Sequence, residues 1–455
     1  MLGKPLASPG QQSADPDPLD EPSPHEDLRQ RPWHDADTAR FVTAELARQA
    51  TTVNLIAAAN YLSPAVRAAM HPALESVHCE GYPGRRYHEG QEAADAIERL
   101  ATERARRLFG VDHANVQPYR GTSANLAATV AVLDPGDTLL GLRTASGGHY
   151  STGGSLHLVG RMFRVVAYEV DATTGALDYD AIAGLARAER PRAIFCGDTS
   201  YPRLWDYAAL RAIADECGAV LVADISQTAG LVAGRAIPSP APYADIMTAA
   251  TYKTLRGPRA GLILARRHLA GAVDRAVYPV CQGGTNVRVL AGVAAALGEA
   301  LTDSFAAYTR RVLANSRCLA GRLADEGFDL VTGGTDNHAC LADVTAFGVT
   351  GDAAARRLAA AGILTNGNQV PDDPNPPRTP SGLRFGTAAV TSLGMGTAVM
   401  AELAGLIATV LRDTTGDAVG EVRARVSEIR RAHGTPGAEW SDTDTEELDR
   451  LWTRH

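Results

Sequence analysis

Short apolar runs alternate with helix-like segments between residues 114 and 265, and this alternation limits the possible folds more than any other feature of the chain. Continuous apolar runs separated by helices are typical of parallel strands that are covered on both faces. The pattern therefore predicts an α/β fold with helices on both sides of one sheet. The seven predicted strands are ANVQP (114–118), TLLGL (138–142), FRVVAYEV (163–170), AIFCG (193–197), AVLVADI (219–225), DIMTAAT (245–251) and AGLILA (260–265).

The composition excludes several classes of protein. The chain has 455 residues, with 44 basic and 52 acidic side chains. Residues 1–38 alone hold eight acids, three bases and seven of the 25 prolines, which predicts a disordered acidic tail. The nearly neutral remainder argues against a nucleic-acid partner, and no apolar run is long enough for a membrane span. No signal pattern opens the chain, and the six cysteines form no CxxC pair, so we expect a cytoplasmic protein with reduced thiols and no metal site.

Two charged residues follow predicted strands at positions suited to one cofactor. Asp224 ends one apolar run, and Lys253 follows the next run, before a Gly-Pro-Arg turn. Pyridoxal 5'-phosphate (PLP) needs a lysine amine for a Schiff base and a carboxylate beside its pyridine nitrogen. It also needs a phosphate cradle, which Gly121, Thr122 and Ser123 can supply at a strand-to-helix transition. Each signal alone is weak, and their conjunction in this order predicts a PLP site at the carboxyl edge of the sheet.

From about residue 40 to about residue 412 the chain resembles serine hydroxymethyltransferase, a PLP enzyme of fold type I. The resemblance implies a mainly parallel seven-stranded sheet, a small C-terminal α+β domain and a homodimer with shared active sites. The implied boundaries are a tail at 1–38, a helical segment at 39–79, a PLP-binding large domain at 80–285, a small domain with its linking helix at 286–433 and a polar tail at 434–455. The matching text is NLIAAANYLSPAV, EGYPGRRYHEG, ANVQPYRGTSAN, PGDTLLGL, SGGHYSTGG, TAGLVAG, YKTLRGPRAGLILA, QGG, GGTDNH and SGLRFGT.

The resemblance assigns roles to the residues that match its motifs. It makes Lys253 the Schiff-base lysine, Asp224 the partner of the pyridine nitrogen and His149 the residue stacked on the cofactor ring. Arg384 would hold the substrate carboxylate, a task suited to a guanidinium. Glu80 would be the catalytic glutamate, supplied across the dimer interface. Further predicted cofactor contacts are Gly121, Thr122, Thr199, Gln227, Tyr252, Gly283 and Gly284, and Arg259 matches a family arginine that is as consistent with a structural role.

Several positions depart from the family, and they cluster around the predicted site. His78 and His88 replace two interface tyrosines, and both are candidate catalytic residues because imidazole titrates far below a phenol. They could equally be hydrogen-bonding substitutes for the tyrosines. The serine and glutamate of the family's LIASEN are absent from LIAAAN (55–60). The remaining departures are Arg120 for a serine and Thr152, Gln227 and Tyr252 for histidines.

These departures leave three reactions open, all on glycine or a β-hydroxy-α-amino acid. The first is a folate-independent aldol or transaldol reaction, as in the threonine transaldolases of antibiotic pathways that resemble this family. The second is an oxygen-dependent decarboxylating monooxygenation of a glycyl-nucleoside-type substrate. The third is ordinary hydroxymethyl transfer with folate, which the altered interface residues disfavour. A homologue without PLP is disfavoured because Lys253 and Asp224 are both present.

Overall fold

A computed structural model describes residues 36–434, and its centre is a seven-stranded sheet. Five neighbouring strands are parallel, which confirms the predicted mainly parallel α/β fold. The order across the sheet is His113–Asn115, Gly261–Ala265, Ile246–Ala250, Val220–Asp224, Ala193–Cys196, Thr138–Leu142 and Arg164–Tyr168.

One predicted strand runs in the other direction. Gly261–Ala265 is antiparallel to both of its neighbours, whereas the apolar runs had been interpreted as parallel strands. The reason is the short connection over residues 251–260, which contains no helix. A parallel return needs a crossover of a dozen or more residues.

Helices cover both faces of the sheet, so the central strands are buried throughout. Residues 90–110 carry apolar residues at helical spacing up to Gly110, and the structure has the helix Glu92–Phe109, which Gly110 caps in the left-handed conformation with a φ of 67°. The other helices of this part of the chain are Pro64–Ala69, Gly121–Val132, Leu158–Met162, Tyr179–Glu189, Tyr207–Cys217, Ala229–Ala233, Ala270–Arg275 and Val287–Ala300. The first described helix, Ala36–Thr51, lies mostly in a separate N-terminal unit that ends at Gln49.

A second hydrophobic core lies under a four-stranded antiparallel sheet in the C-terminal part of the chain. Its strands, in order, are Asp329–Leu330, Ala339–Asp343, Gly382–Gly386 and Asn366–Asn368. Val53 and Leu55 belong to the same core, because Val53–Asn54 pairs in parallel with Ile363–Leu364. The helices here are Asp303–Asp325, Gly351–Ala360, Ala388–Ser392, Thr397–Arg412 and Ala418–Arg431.

The helix Ala418–Arg431 corrects one expectation from the sequence. The many charged residues of 416–433 predict an exposed helix, but Val422, Val426 and Ile429 are buried in the second core. Their spacing of four and three residues places them on one face of the helix. The predicted tails at 1–38 and 434–455 lie almost wholly outside the described residues, and the domain boundaries remain predictions.

Within residues 36–434 no single helix is both long and apolar enough to cross a membrane. The pair Val287–Ala300 and Asp303–Asp325, bent by 83°, meets that criterion of length and composition only when its two helices are taken together. All six cysteines are free thiols.

Candidate active site

Two adjacent parallel strands bring Asp224 and Lys253 to the same edge of the sheet. Asp224 is the last residue of Val220–Asp224, and its backbone pairs with Thr248 of the next strand. Lys253 follows that second strand by three residues. Both side chains are buried, at 8 % and 7 % exposure. A carboxylate and an amine therefore occupy the carboxyl edge of the sheet, as the sequence pattern predicts.

Asn125 connects Asp224 to His149 through hydrogen bonds. Its amide nitrogen donates to Asp224 Oδ2 at 2.7 Å and to Ser151 Oγ at 2.9 Å. The Ser151 hydroxyl lies 2.6 Å from Nδ1 of His149, and the Ser151 backbone N–H also donates to that nitrogen. Since Nδ1 accepts these bonds, the proton of the neutral ring is on Nε2. Burial lowers the pKa of His149 to about 4, which favours the same neutral form.

Burial also changes the protonation of Lys253. It lowers the pKa of this amine from 10.5 to about 8, although the charge of Asp224 opposes the shift. A further buried acid, Asp198, accepts a 2.9 Å hydrogen bond from the indole of Trp205, and burial raises its pKa to about 7. A lysine that is largely neutral only slightly above physiological pH is suited to nucleophilic attack on a carbonyl.

The guanidinium of Arg384 lies near Lys253, and the described residues accept hydrogen bonds from only some of its N–H groups. It lies on the strand Gly382–Gly386, is 8 % exposed, and donates from Nε and Nη2 to Asn366 Oδ1 at 3.2 and 3.0 Å. Its Nη1 donates to the carbonyl of Thr199. These bonds use three of five N–H groups, so one N–H on each terminal nitrogen has no partner among residues 36–434. Two such donors fit the two oxygens of one carboxylate.

Several other buried polar atoms near these residues have no partner among the described residues. Gln227 donates to the carbonyl of Thr199 at 3.1 Å, but its Oε1 is unsatisfied. His338 contacts the carbonyl of Ala57, while its Nδ1 is unsatisfied. Buried polar groups normally have hydrogen-bond partners, so such atoms indicate that a polar ligand belongs here.

The predicted phosphate cradle lies at the start of a helix. Gly121 and Thr122 open Gly121–Val132, and no side chain among the described residues caps its first turn. Tyr252 lies beside two cations, with Arg259 and Arg120 at 4.7 and 6.0 Å from its ring centre. Free N–H groups and nearby guanidinium groups favour an anion at this position.

The residues predicted to come from the interface form a separate cluster. His78, Glu80 and His88 meet at a hairpin made by Gly81–Tyr82 and Arg85–Arg86, and Gly283 and Gly284 lie against Glu80. No hydrogen bond or ion pair within residues 36–434 joins these three side chains to Lys253, Asp224 or Arg384. A neighbouring cavity of about 530 Å³, lined by Arg85, Tyr278 and Pro279 among others, also lacks the lysine and the aspartate, so we do not assign it to the cofactor.

Sequence reasoning missed Asn125, Ser151 and Asn366. Asn125 follows Gly121 by four residues on one helix, a spacing that puts both on the same face and could have revealed it. Ser151 and Asn366 had no comparable signal, because their roles depend on side chains that are distant in sequence.

Comparison with known proteins identifies the family. The profile described as serine hydroxymethyltransferase matches residues 32–407. The chain is 46 % identical over 404 residues to serine hydroxymethyltransferase of Sorangium cellulosum, covering 89 % of this chain and 96 % of that protein. It is 47 % identical over 416 residues to the enzyme of Acidothermus cellulolyticus, covering 91 % and 97 %. The chain belongs to the serine hydroxymethyltransferase family. Members of this family use PLP, which confirms the predicted cofactor.

The residues of this serine hydroxymethyltransferase family member fit PLP. The buried amine of Lys253, the carboxylate of Asp224 and the unpaired oxygen of Gln227 supply the polar groups that its ring substituents require. The uncapped helix start at Gly121 fits its phosphate. A Cβ at Gly121 would lie 3.0 Å from Ser226 Oγ and 3.1 Å from the Cβ of Ala250, so the backbone approaches its neighbours closely here.

Proposed function

We propose that this protein is a PLP-dependent enzyme that breaks and forms the Cα–Cβ bond of β-hydroxy-α-amino acids without folate, as an aldolase or transaldolase. The observation that carries the proposal is the pair of N–H groups on buried Arg384 that have no partner within residues 36–434, near Lys253. A planar, charged guanidinium with two N–H donors in a buried site favours a ligand that carries a carboxylate. When bound, PLP supplies an electron sink for the electrons released at Cα.

Each residue of the site then has a task that its geometry supports. Arg384 binds the substrate carboxylate and so orients the bonds at Cα. Lys253 would hold the cofactor, and Asp224 would accept the N–H of its pyridine ring. His149 is kept neutral by burial and by the donors at Nδ1, so it can lie against an aromatic ring with its Nε2 proton directed elsewhere.

The proposal includes a homodimer in which Glu80 acts in the neighbouring subunit. Its carboxylate is 31 % exposed on the hairpin and has no direct bond to the lysine group of its own chain within residues 36–434. Cleavage of the Cα–Cβ bond requires removal of the proton from the β-hydroxyl oxygen, and a carboxylate delivered to that oxygen can accept it. His78 and His88 flank Glu80 and would accompany it into that site.

Changes at the mouth of the site support independence from folate. Tyr150 is 50 % exposed, and the centre of its ring lies 4.2 Å from that of His149 and 5.5 Å from that of His157. In the family that this chain resembles, leucines that contact the pteridine ring of folate usually occupy the positions of Thr144 and Tyr150. The phenol of Tyr150 and the hydroxyl of Thr144 would not match the pteridine as apolar side chains do. Each such mismatch weakens folate binding by about 1–3 kcal/mol, or about 10–200-fold.

One experiment tests the proposal against its competitor. Glycine formation from L-serine is measured with and without tetrahydrofolate, and L-threonine cleavage is measured with and without an acceptor aldehyde. We expect cleavage and aldehyde exchange that do not respond to tetrahydrofolate. Strong stimulation by tetrahydrofolate would contradict the proposal and favour ordinary hydroxymethyl transfer, which the 44–47 % identity to curated serine hydroxymethyltransferases supports. Oxygen consumption coupled to release of CO2 would instead favour the monooxygenase alternative.

A further inference from the structure

Two imidazoles and one carboxylate converge at the hairpin that carries Glu80. His78 Nε2 lies 3.8 Å from Glu80 Oε1, and His88 Nε2 lies 3.8 Å from Glu80 Oε2. One ligand atom from each of the three residues lies within 4.8 Å of the other two. We propose that His78, Glu80 and His88 bind one divalent transition metal ion. The proposed function requires no metal and uses the same Glu80 carboxylate as a proton acceptor, so the ion would bind that carboxylate when it is not engaged in this role. The inference also departs from the expectation that the sequence contains no metal site.

The three side chains converge without bonding to one another. A distance of 3.8 Å is too long for a hydrogen bond, since N–H···O bonds fall between about 2.7 and 3.2 Å. The rings of His78 and His88 are tilted by 55° with their centres 5.0 Å apart, so they are not stacked face to face. The two histidines lie within ion-pair distance of the carboxylate but form no hydrogen bond with it, so all three groups can turn a ligand atom toward one ion.

The separations need only a small adjustment to accept an ion. Ligand atoms about 2.1 Å from a tetrahedral metal are about 3.4 Å from each other. The two 3.8 Å distances end on different oxygens of Glu80, and with one ligand atom from each residue every pair lies within 4.8 Å, so no pair must shorten by more than about 1.4 Å. In the single chain the side chains of His78 and His88 are 73 % and 48 % exposed, so rotation about their χ angles can supply this movement in an unpaired subunit.

The backbone that carries these ligands is held firmly. Arg86 is buried between Asp95 and Glu98, with N···O distances of 2.8 and 2.6 Å, and this pairing anchors the hairpin to the helix Glu92–Phe109. The Thr285 N–H donates to the carbonyl of Cys79, which lies between two of the proposed ligands. A Cβ at Gly284 would lie only 2.2 Å from that carbonyl oxygen. A metal site benefits when surrounding contacts fix its ligands in this way.

The donor set indicates which ions would bind. Imidazole suits zinc, iron, cobalt and nickel, whereas magnesium and calcium prefer oxygen donors. Two histidines and one carboxylate occur both in non-haem Fe(II) sites and in catalytic zinc sites, where the remaining positions are open to water or substrate. We therefore expect a transition ion with at least one open position.

Metal binding to the tag-free, full-length holoenzyme tests the inference without any substrate. After treatment with a chelator, the protein is titrated with Co²⁺, followed by its visible absorption, and with Zn²⁺, followed by calorimetry. We expect one ion per chain with micromolar or tighter affinity, and no binding of Mg²⁺ in the same range. Loss of a second-shell group typically costs 10–100-fold in affinity, so His78→Tyr, His88→Tyr and Glu80→Gln should each weaken binding by at least about 100-fold.

A matched variant and two folding checks make the result decisive. His268→Tyr removes an exposed histidine from the turn Arg267–Leu269 and should leave binding unchanged. Circular dichroism and retained cofactor absorbance show which variants are folded, and three separate ligand variants ensure that one misfolded protein does not end the test. Absence of stoichiometric binding by the wild type, or unchanged binding by folded His88→Tyr or Glu80→Gln, would overturn the inference. Neither result depends on which reaction the enzyme catalyses.

Discussion

Replacement of Arg384 by alanine gives the sharpest test of the amino-acid site. Three N–H groups of the guanidinium bond to Asn366 and to the Thr199 carbonyl, and the other two have no partner in the described part of the chain. A hydrogen bond to a charged group contributes about 1.5–3 kcal/mol, so losing two of them costs about 3–6 kcal/mol of transition-state binding. At about 1.4 kcal/mol per tenfold change, kcat/KM for L-threonine should fall by about 10²–10⁴-fold.

A substrate pair identifies the cause of that loss. Binding of L-threonine is compared with binding of 1-amino-2-propanol, which lacks the carboxylate, by the change in visible absorbance of the bound cofactor. The wild type should prefer threonine strongly, and Arg384→Ala should lose most of that preference. Arg384→Lys keeps the positive charge but loses the paired N–H donors of the guanidinium, so its preference for threonine over 1-amino-2-propanol should be intermediate.

A second arginine variant serves as the control. Arg356 is an exposed residue on the helix Gly351–Ala360, and Arg356→Ala should retain wild-type kinetics. A loss below tenfold in Arg384→Ala, or an undiminished preference for threonine in that variant, would refute the assignment of the carboxylate to Arg384.

Three further predictions concern the cofactor, the hydrogen-bond network and the assembly. A lysine attacks a carbonyl only as the neutral amine, so the rate of PLP attachment to the cofactor-free protein should rise with pH and level off above the Lys253 pKa of about 8. Stopped-flow absorbance measures this rate, and a midpoint near pH 10.5 would contradict the prediction. Asn125→Ala removes the buried donor to Asp224 Oδ2 and to Ser151 Oγ, while the Ser226 N–H still donates to Asp224 Oδ1, and it should lower the free energy of unfolding by about 1–3 kcal/mol. Unchanged denaturant melting would be evidence against the network. Light scattering should give about twice the 47.8 kDa chain mass, and a fully active monomer would exclude the action of Glu80 across an interface.

The sheet could be predicted from the sequence because its strands are buried on both faces. Ala193–Cys196 is apolar throughout and Ile246–Ala250 is apolar except for Thr248, so their sequences alone indicate central strands. Asn366–Asn368 was missed because it reads Asn-Gly-Asn, a composition typical of turns, and it is a strand only because Gly382–Gly386 provides its hydrogen bonds. Tertiary pairing here overrides local preference.

The positions of Asp224 and Lys253 could also be predicted, because strand ends define them locally. The partners of Arg384 could not be, since Thr199 lies 185 residues away and meets it only when the two sheets are in place. The same holds for the network through Asn125, whose contact with Asp224 spans 99 residues. Hydrogen bonds of this kind depend on atomic positions that no local pattern specifies.

The sequence by itself determined the class of fold and the two residues at the sheet edge, because periodic burial and strand ends are local properties of the chain. Only the tertiary structure decided the direction of Gly261–Ala265, the neutral state of His149 and the convergence of His78, Glu80 and His88. Burial, hydrogen-bond geometry and the distance between side chains across a hairpin exist only after folding. The proposed metal site belongs to this second group, since its ligands are recognisable as a set only through their distances in space.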